Sequence, residues 1–242
     1  MSEAAPQVEI WLAREAQLRD PAVLESFSRV LSAKDRARVE RMRFPDGRHQ
    51  QLITRALARR VLSHYMPEIP PGDWRFDIAE FGRPAIASEF PEHARRLHFN
   101  LAHTQGLVVM AVGSRPGLGV DVETITRTAP LDVAHRYFSP REISDLDALP
   151  EAHKARRFQR LWTLKESYLK AVGSGIGGGL DRITFTFEEG GLRFEHADDA
   201  DAAHWQFREF TIDGQYLVAL AYLDRDSAQP VQVALRDFSG QE

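Results

Sequence analysis

"GLGVDVE", residues 117–123, reads as a short apolar strand carrying two carboxylates, Asp121 and Glu123, with only Val122 between them. Residues two apart on a strand point to the same side. Leu118, Val120 and Val122 therefore share one face, and Gly119, Asp121 and Glu123 the other. The two acids start roughly 6.6 Å apart along the strand. That is close enough for both to reach one cation, and close enough for mutual repulsion without one. Alternation of apolar and charged residues is also what any half-exposed strand shows. On this stretch alone a solvated face and a metal site both fit.

The rest of the chain narrows the choice. Its 242 residues suit one large domain or two small ones, and 43% hydrophobic with 27% charged residues is ordinary globular composition. No apolar run is long enough to span a bilayer, and "MSEAAPQVEI" at the start lacks a signal-peptide pattern. The absence of cysteine excludes disulfides, thiolate catalysis and cysteine-ligated metals. A soluble, cytoplasmic protein with no membrane role is the expectation. Net charge is −4, yet Arg29 to Arg60 holds ten Lys or Arg against three Asp or Glu. A local basic block on an acidic chain does not point to nucleic acid. It suits a compact polyanion such as a phosphorylated small molecule, although most such arginines sit on solvated helix faces.

Strand-like and helical runs alternate in both halves, with a division near Ser114. Glu9 to Ala13 reads as a first strand. "DPAVLESFSRVL" starts on Asp20 as N-cap with Pro21 at the first helical position, and "SAKD" from Ser32 resembles a capping box with Asp35 in place of Glu. A longer helix is predicted over 46–65, followed by a strand in "WRFDIAE" and a turn in "FGRPAI". "HFNLAHT" and "LVVMAVG" read as two strands joined at Gln105-Gly106. "SPREISDLDAL" carries Ser139 as cap and Glu142 in the first turn. A helix over 155–172 ends at Gly173, before the glycine-rich "GSGIGGGL". Four alternating runs, "RITFTFE", "LRFEHA", "WQFREFTI" and "YLVALAYL", predict an antiparallel meander.

The helix "RRFQRLWTLKESYLKAV" puts Trp162, Glu166 and Lys170 on one row, four residues apart. Leu161, Leu164, Tyr168 and Val172 form an adjoining apolar face, and Lys165 points away from the Glu166 row. A Glu–Lys pair at this spacing is usually a surface ion pair of small value. The glycine loop after the helix is not a phosphate-binding Walker sequence, because no Gly-Lys-Ser/Thr follows it.

Together "GRP" at Gly82, "FNLAHT" at Phe99, "GVDVE" at Gly119, "FSPREI" at Phe138 and "WTLKESYLK" at Trp162 resemble, in order and spacing, the 4′-phosphopantetheinyl transferases, of the broad-specificity class similar to the surfactin synthetase activator. The resemblance runs from about Val8 to about Leu223. Each motif is weak alone, and the ordered set is specific.

The resemblance implies an α+β fold of two similar α/β halves, residues 1–114 and 115–242, related by a pseudo-twofold axis. It implies Mg²⁺-dependent transfer of the phosphopantetheine arm of coenzyme A, the co-substrate, to a serine of an apo-acyl or apo-peptidyl carrier protein, by a monomer. Asp121, Glu123 and Glu166 match the family's metal-binding acids. Glu166 is also placed to take the serine proton, directly or through water, and Lys170 to neutralise the α-phosphate as the bond breaks. Arg38, Arg83, Pro84, Ala102 and His103 match positions that bind coenzyme A, His103 at the 3′-phosphate. Two departures stand out: Ala102 replaces a more usual serine, and "GRP" replaces "GKP". A metal-dependent phosphohydrolase and a non-catalytic coenzyme A-binding module remain as rival readings.

Overall fold

Prolines and short polar side chains set most helix starts in the first part of the chain. We describe it from a computed structural model covering residues 8–125, 129–175, 179–225 and 231–242. β1 (Val8–Arg14) is followed by α1 (Pro21–Val30), whose cap Asp20 accepts from the Ala22 amide at 2.7 Å. Ser32 caps α2 (Ala33–Glu40), accepting from the Asp35 amide. The Asp35 carboxylate accepts from the Ser32 hydroxyl rather than closing a full capping box, and its main partners are Arg55 and Arg59. Those arginines lie on α3 (Pro45–Tyr65), which buries Ile53, Leu57, Val61 and Leu62. Only Phe76–Ile78 (β2) of "WRFDIAE" is strand, and it pairs with β3 (Pro84–Ile86), so the expected turn at "FGRPAI" is in part a hairpin arm. A short α4 (Glu92–Arg95) precedes β4 (His98–Thr104) and β5 (Leu107–Gly113), antiparallel as predicted.

Beyond Ser114 the chain builds a second unit. β6 (Leu118–Thr124) leads to α5 (Leu131–Tyr137), a helix that the sequence reading does not anticipate. Ser139 and Glu142 form a complete capping box at the start of α6 (Pro140–Asp147). α7 (Glu151–Val172) begins one turn earlier than predicted and ends on Gly173, whose φ of 77° suits a left-handed cap. Residues 176–178 of the glycine-rich loop lie outside the described residues.

β7 (Ile183–Glu188), β8 (Gly191–His196), β9 (Trp205–Ile212) and β10 (Tyr216–Leu223) are all strands, but they do not form one meander. Among the described residues β7 and β8 make their own two-stranded sheet, and β10 lies between β6 and β9. The 3-10 turn Ala202–His204 separates the pairs. β10 has an inner partner in β6 from far back in the chain, a pairing that local alternation cannot reveal.

The last strand, β11 (Val233–Asp237), runs parallel to β1. The expected second half, 115–242, therefore loses its end: Val231–Glu242 packs with the first unit, and the second unit is continuous from Arg115. The first unit's sheet has the order β11-β1-β5-β4. It buries Trp11, Val108 and Met110 with Phe27 and the α3 residues, and Phe238 stacks on Phe27. No helix among the described residues is long and apolar enough to cross a membrane.

Candidate active site

In the second unit α7 packs on the sheet face formed by β6 and β10. Gly119, Asp121 and Glu123 of β6 stand on that face opposite Ala221, Ala219 and Leu217 of β10. Small residues there allow a close approach. At Gly119 the fit leaves no room for a side chain: a Cβ would lie 2.1 Å from the Ser167 carbonyl oxygen and 2.4 Å from the Ala171 nitrogen. Glycine is thus required by the helix backbone, which brings Glu166 and Lys170 onto the strand's acids.

Asp121 is 6% exposed, so the solvated-face reading of "GVDVE" does not hold at that residue. Lys170 Nζ donates to Asp121 Oδ1 at 2.6 Å. Asp121 Oδ2 and Glu166 Oε1 are buried and accept no hydrogen bond. Burial, then the charge of Asp121, pushes the Glu166 carboxyl up to about 7, with Glu123 adding and Lys170 subtracting.

Among the described residues no group of three or more His, Asp or Glu is gathered as a ready metal cluster. The donor chemistry still fits a hard cation: two buried carboxylate oxygens without partners, on residues from both walls, suit oxygen-coordinated Mg²⁺. Asp121, Glu123 and Glu166 are the residues that could hold it.

Lys165 does point away from this row. It is fully buried and pairs with the fully buried Glu142 at 2.7 Å. Its ammonium also donates to the carbonyls of Leu180 and Ile183, at 2.6 and 2.5 Å. Glu142 accepts from the Ser139 and Phe185 amides. Burial pushes Glu142 up and Lys165 down, and each charge opposes the other's shift. A pair this well satisfied anchors α7 to α6 and β7. The capping pattern made Glu142 visible in the sequence, but nothing there showed its partner. Val172, assigned to the apolar face, is 43% exposed on the last turn.

A smaller cavity of about 180 Å³ lies against Glu123, lined also by Trp162, Phe158, Gln159 and Pro130. Trp162 stacks on Phe158 and meets Tyr137 edge-on. Trp162 thus lines the same cavity as Glu123.

The first unit has a separate cavity of about 490 Å³, lined by Lys34, Arg38, Arg55, Arg59, Arg75 and His103, with Asp35, Phe76, Pro84, Phe99 and Leu101. Arg38, Pro84 and His103 are brought together there. Ala102 is not: it is buried and alternates to the opposite face of β4 from Phe99, Leu101 and His103. Arg83 sits between the lining residues Gly82 and Pro84 without lining the cavity itself. Its charge, after burial, lowers the pKa of His98, which shares the Ala102 side of β4. The sequence marked Asp35 only as part of a helix cap and did not single out Arg55, although both fall in its basic block.

A model of the 4′-phosphopantetheinyl transferase superfamily matches residues 117–221, and a model of the 4′-phosphopantetheinyl transferase N-terminal region matches residues 20–115. The 4′-phosphopantetheinyl transferase HetI of Nostoc sp. is 35% identical over 208 residues, covering 86% of this chain and 82% of HetI. The chain belongs to the 4′-phosphopantetheinyl transferase superfamily. The transferase Sfp of Bacillus subtilis is 28% identical, covering 86% of this chain and 88% of Sfp. A putative transferase of Synechocystis sp. is 29% identical over 203 residues. Enzymes of this superfamily move the phosphopantetheine group of coenzyme A to carrier proteins.

Two outcomes test the site. Gly119→Ala should force α7 away from β6, costing about 1–3 kcal/mol and lowering the melting midpoint by roughly 2–4 °C per kcal/mol. An unchanged midpoint would contradict the packing. Glu166→Gln addresses the charge. The fold raises the Glu166 carboxyl from an ordinary 4.5 to about 7. Its stabilising contribution is complete below pH 4.5 and disappears as pH rises to about 7. In chelator, Glu166→Gln should therefore flatten that slope and melt higher than wild type above pH 7. Added Mg²⁺ should raise the wild-type midpoint and leave the variant's unmoved.

Proposed function

We propose that this chain transfers 4′-phosphopantetheine from coenzyme A to a serine hydroxyl of an apo-acyl or apo-peptidyl carrier protein and releases adenosine 3′,5′-bisphosphate. The observation that carries the reading is the meeting of Asp121, Glu166 and Lys170 where α7 closes on β6. A binding module has no use for a buried Glu166 carboxyl raised in pKa beside a second buried acid and a lysine.

Asp121, Glu123 and Glu166 would hold Mg²⁺, which supplies charge stabilisation to a pyrophosphate when bound. Glu166, with its proton affinity near neutral pH, accepts the serine proton directly or through a water. The serine oxygen bonds to the phosphorus that bears the pantetheine, and the bond from that phosphorus to the bridging oxygen breaks. Lys170, oriented by Asp121, neutralises the negative charge that grows on the departing α-phosphate. Arg38, Pro84 and His103 of the first unit's cavity are assigned to the nucleotide end, His103 to the 3′-phosphate.

Intact mass of an apo-carrier after incubation with coenzyme A and Mg²⁺ should show one added phosphopantetheine, and Ala at Asp121, Glu123 or Glu166 should abolish it. Cleavage of coenzyme A with every carrier unmodified would instead favour a hydrolase. For His103, a contact to a charged phosphate is worth about 1.5–3 kcal/mol, or roughly tenfold in affinity or more. His103→Ala should lose that on coenzyme A and little on dephospho-coenzyme A. Equal losses on both would remove the assignment.

A further inference from the structure

One arginine of the first unit's cavity has hydrogen-bonding capacity that the fold does not use. Arg55 lines the cavity with Arg38 and His103, and its Nη1 is paired with Asp35. Its Nε is buried and has no acceptor. Arg59, one turn along α3, is used up by the fold. It gives Nη2 to Asp35 at 2.8 Å and Nη1 to the Trp74 carbonyl at 2.7 Å, and its guanidinium lies over the Phe76 ring. The Arg59 side chain is 3% exposed and that of Arg55 22%.

Asp35 thus holds two arginines with one carboxylate. It is the one acidic residue lining the cavity among the described residues, against Lys34, Arg38, Arg55, Arg59 and Arg75. The excess of positive charge calls for an anion. With Nη1 taken by Asp35, the edge of Arg55 that remains carries Nε and Nη2, the two parallel N–H groups that meet a phosphate side-on. Burial and the charges of Arg38 and Arg59 both disfavour the Arg55 cation, and only Asp35 opposes them. A phosphate at that edge would relieve the imbalance.

We propose that Arg55, held in orientation by Asp35, grips the ribose 3′-phosphate of coenzyme A. The inference rests on coenzyme A being the co-substrate. The pyrophosphate is the group on which the acids and Lys170 act. The 3′-phosphate is the remaining anion, and a cavity of cations without a metal-holding acid pair suits it. Arg38 and His103 then supply charge and a ring N–H around a phosphate whose position Arg55 sets. Asp35 is a positioning residue: it makes no contact with the ligand and acts through the guanidinium.

The experiment is calorimetric titration of coenzyme A and dephospho-coenzyme A, without carrier, into wild type, Arg55→Gln, Arg55→Lys and Asp35→Asn, with a melting curve for each. Wild type should favour coenzyme A by roughly tenfold or more. Both Arg55 variants should cut that preference by roughly tenfold while binding dephospho-coenzyme A as wild type does. Arg55→Lys keeps a counter-charge for Asp35, so it stays informative if Arg55→Gln melts early. Asp35→Asn should reduce the preference less than either. A wild-type preference retained in folded Arg55→Lys overturns the proposal while leaving the transferase reading intact. Wild type that binds neither ligand removes both.

Discussion

The backbone of α7 rests directly on β6 at Gly119, and the arrangement of the chemical groups follows from that contact. A strand supplies acids at a fixed spacing and a helix supplies an acid and a lysine one turn apart. Neither element alone makes a site. They meet because Gly119 has no side chain and the neighbouring β10 positions are Ala219 and Ala221. The buried Lys165–Glu142 pair prevents the helix from sliding or turning there, since any rotation would break several charge-assisted bonds at once. The fold spends rigidity on one side of α7 to hold like charges together on the other. Such local frustration is what a site prepared for a cation and a phosphate requires.

The surroundings of Glu166 and of Arg55 show opposite electrostatic designs. Around Glu166 the fold crowds negative charge and leaves buried oxygens without partners. Around Arg55 it crowds positive charge and leaves a buried nitrogen without one. Unsatisfied buried polar atoms are costly in a resting protein. Such an atom is not by itself the mark of a ligand-directed group, because Arg60 Nε is also buried and unpaired. Within the basic block, Arg36 donates to the carbonyls of Ser28 and Leu31, and Arg60 to those of Gly240 and Glu242. These arginines belong to the scaffold although composition cannot tell them from Arg38.

Local chemistry was legible in the sequence wherever one element decided the outcome. Asp20, Ser139 and Gly173 announced helix ends, alternation announced the strands, and the helical row of Glu166 and Lys170 was visible from spacing alone. The acids at 121, 123 and 166 could be grouped through the ordered motifs, but the placing of Glu166 against β6 depends on a helix–strand distance that sequence does not display. Long-range pairing was not legible. β10 sits between β6 and β9 and β11 joins β1, because burial of both sheet faces outweighs chain proximity. Single side chains failed for a simpler reason: Ala102 is adjacent to His103 and so, on a strand, faces the other way.

β11 also sets the order in which the molecule can be completed during synthesis. Its residues leave the ribosome after the whole of the second unit, yet they supply the strand beside β1 and the ring of Phe238 against Phe27. The second unit is continuous and can close as soon as β10 reaches β6. The first unit waits, with one side of β1 unpaired and apolar surface uncovered, until the chain's last strand arrives. An unpaired strand side is a template for association with other chains, and nascent multi-unit proteins are most exposed to aggregation in such intervals. The polar ties of the C-terminal segment, from Arg14 to Asp237 and from Arg236 to Glu9, then act as a latch that ends the interval.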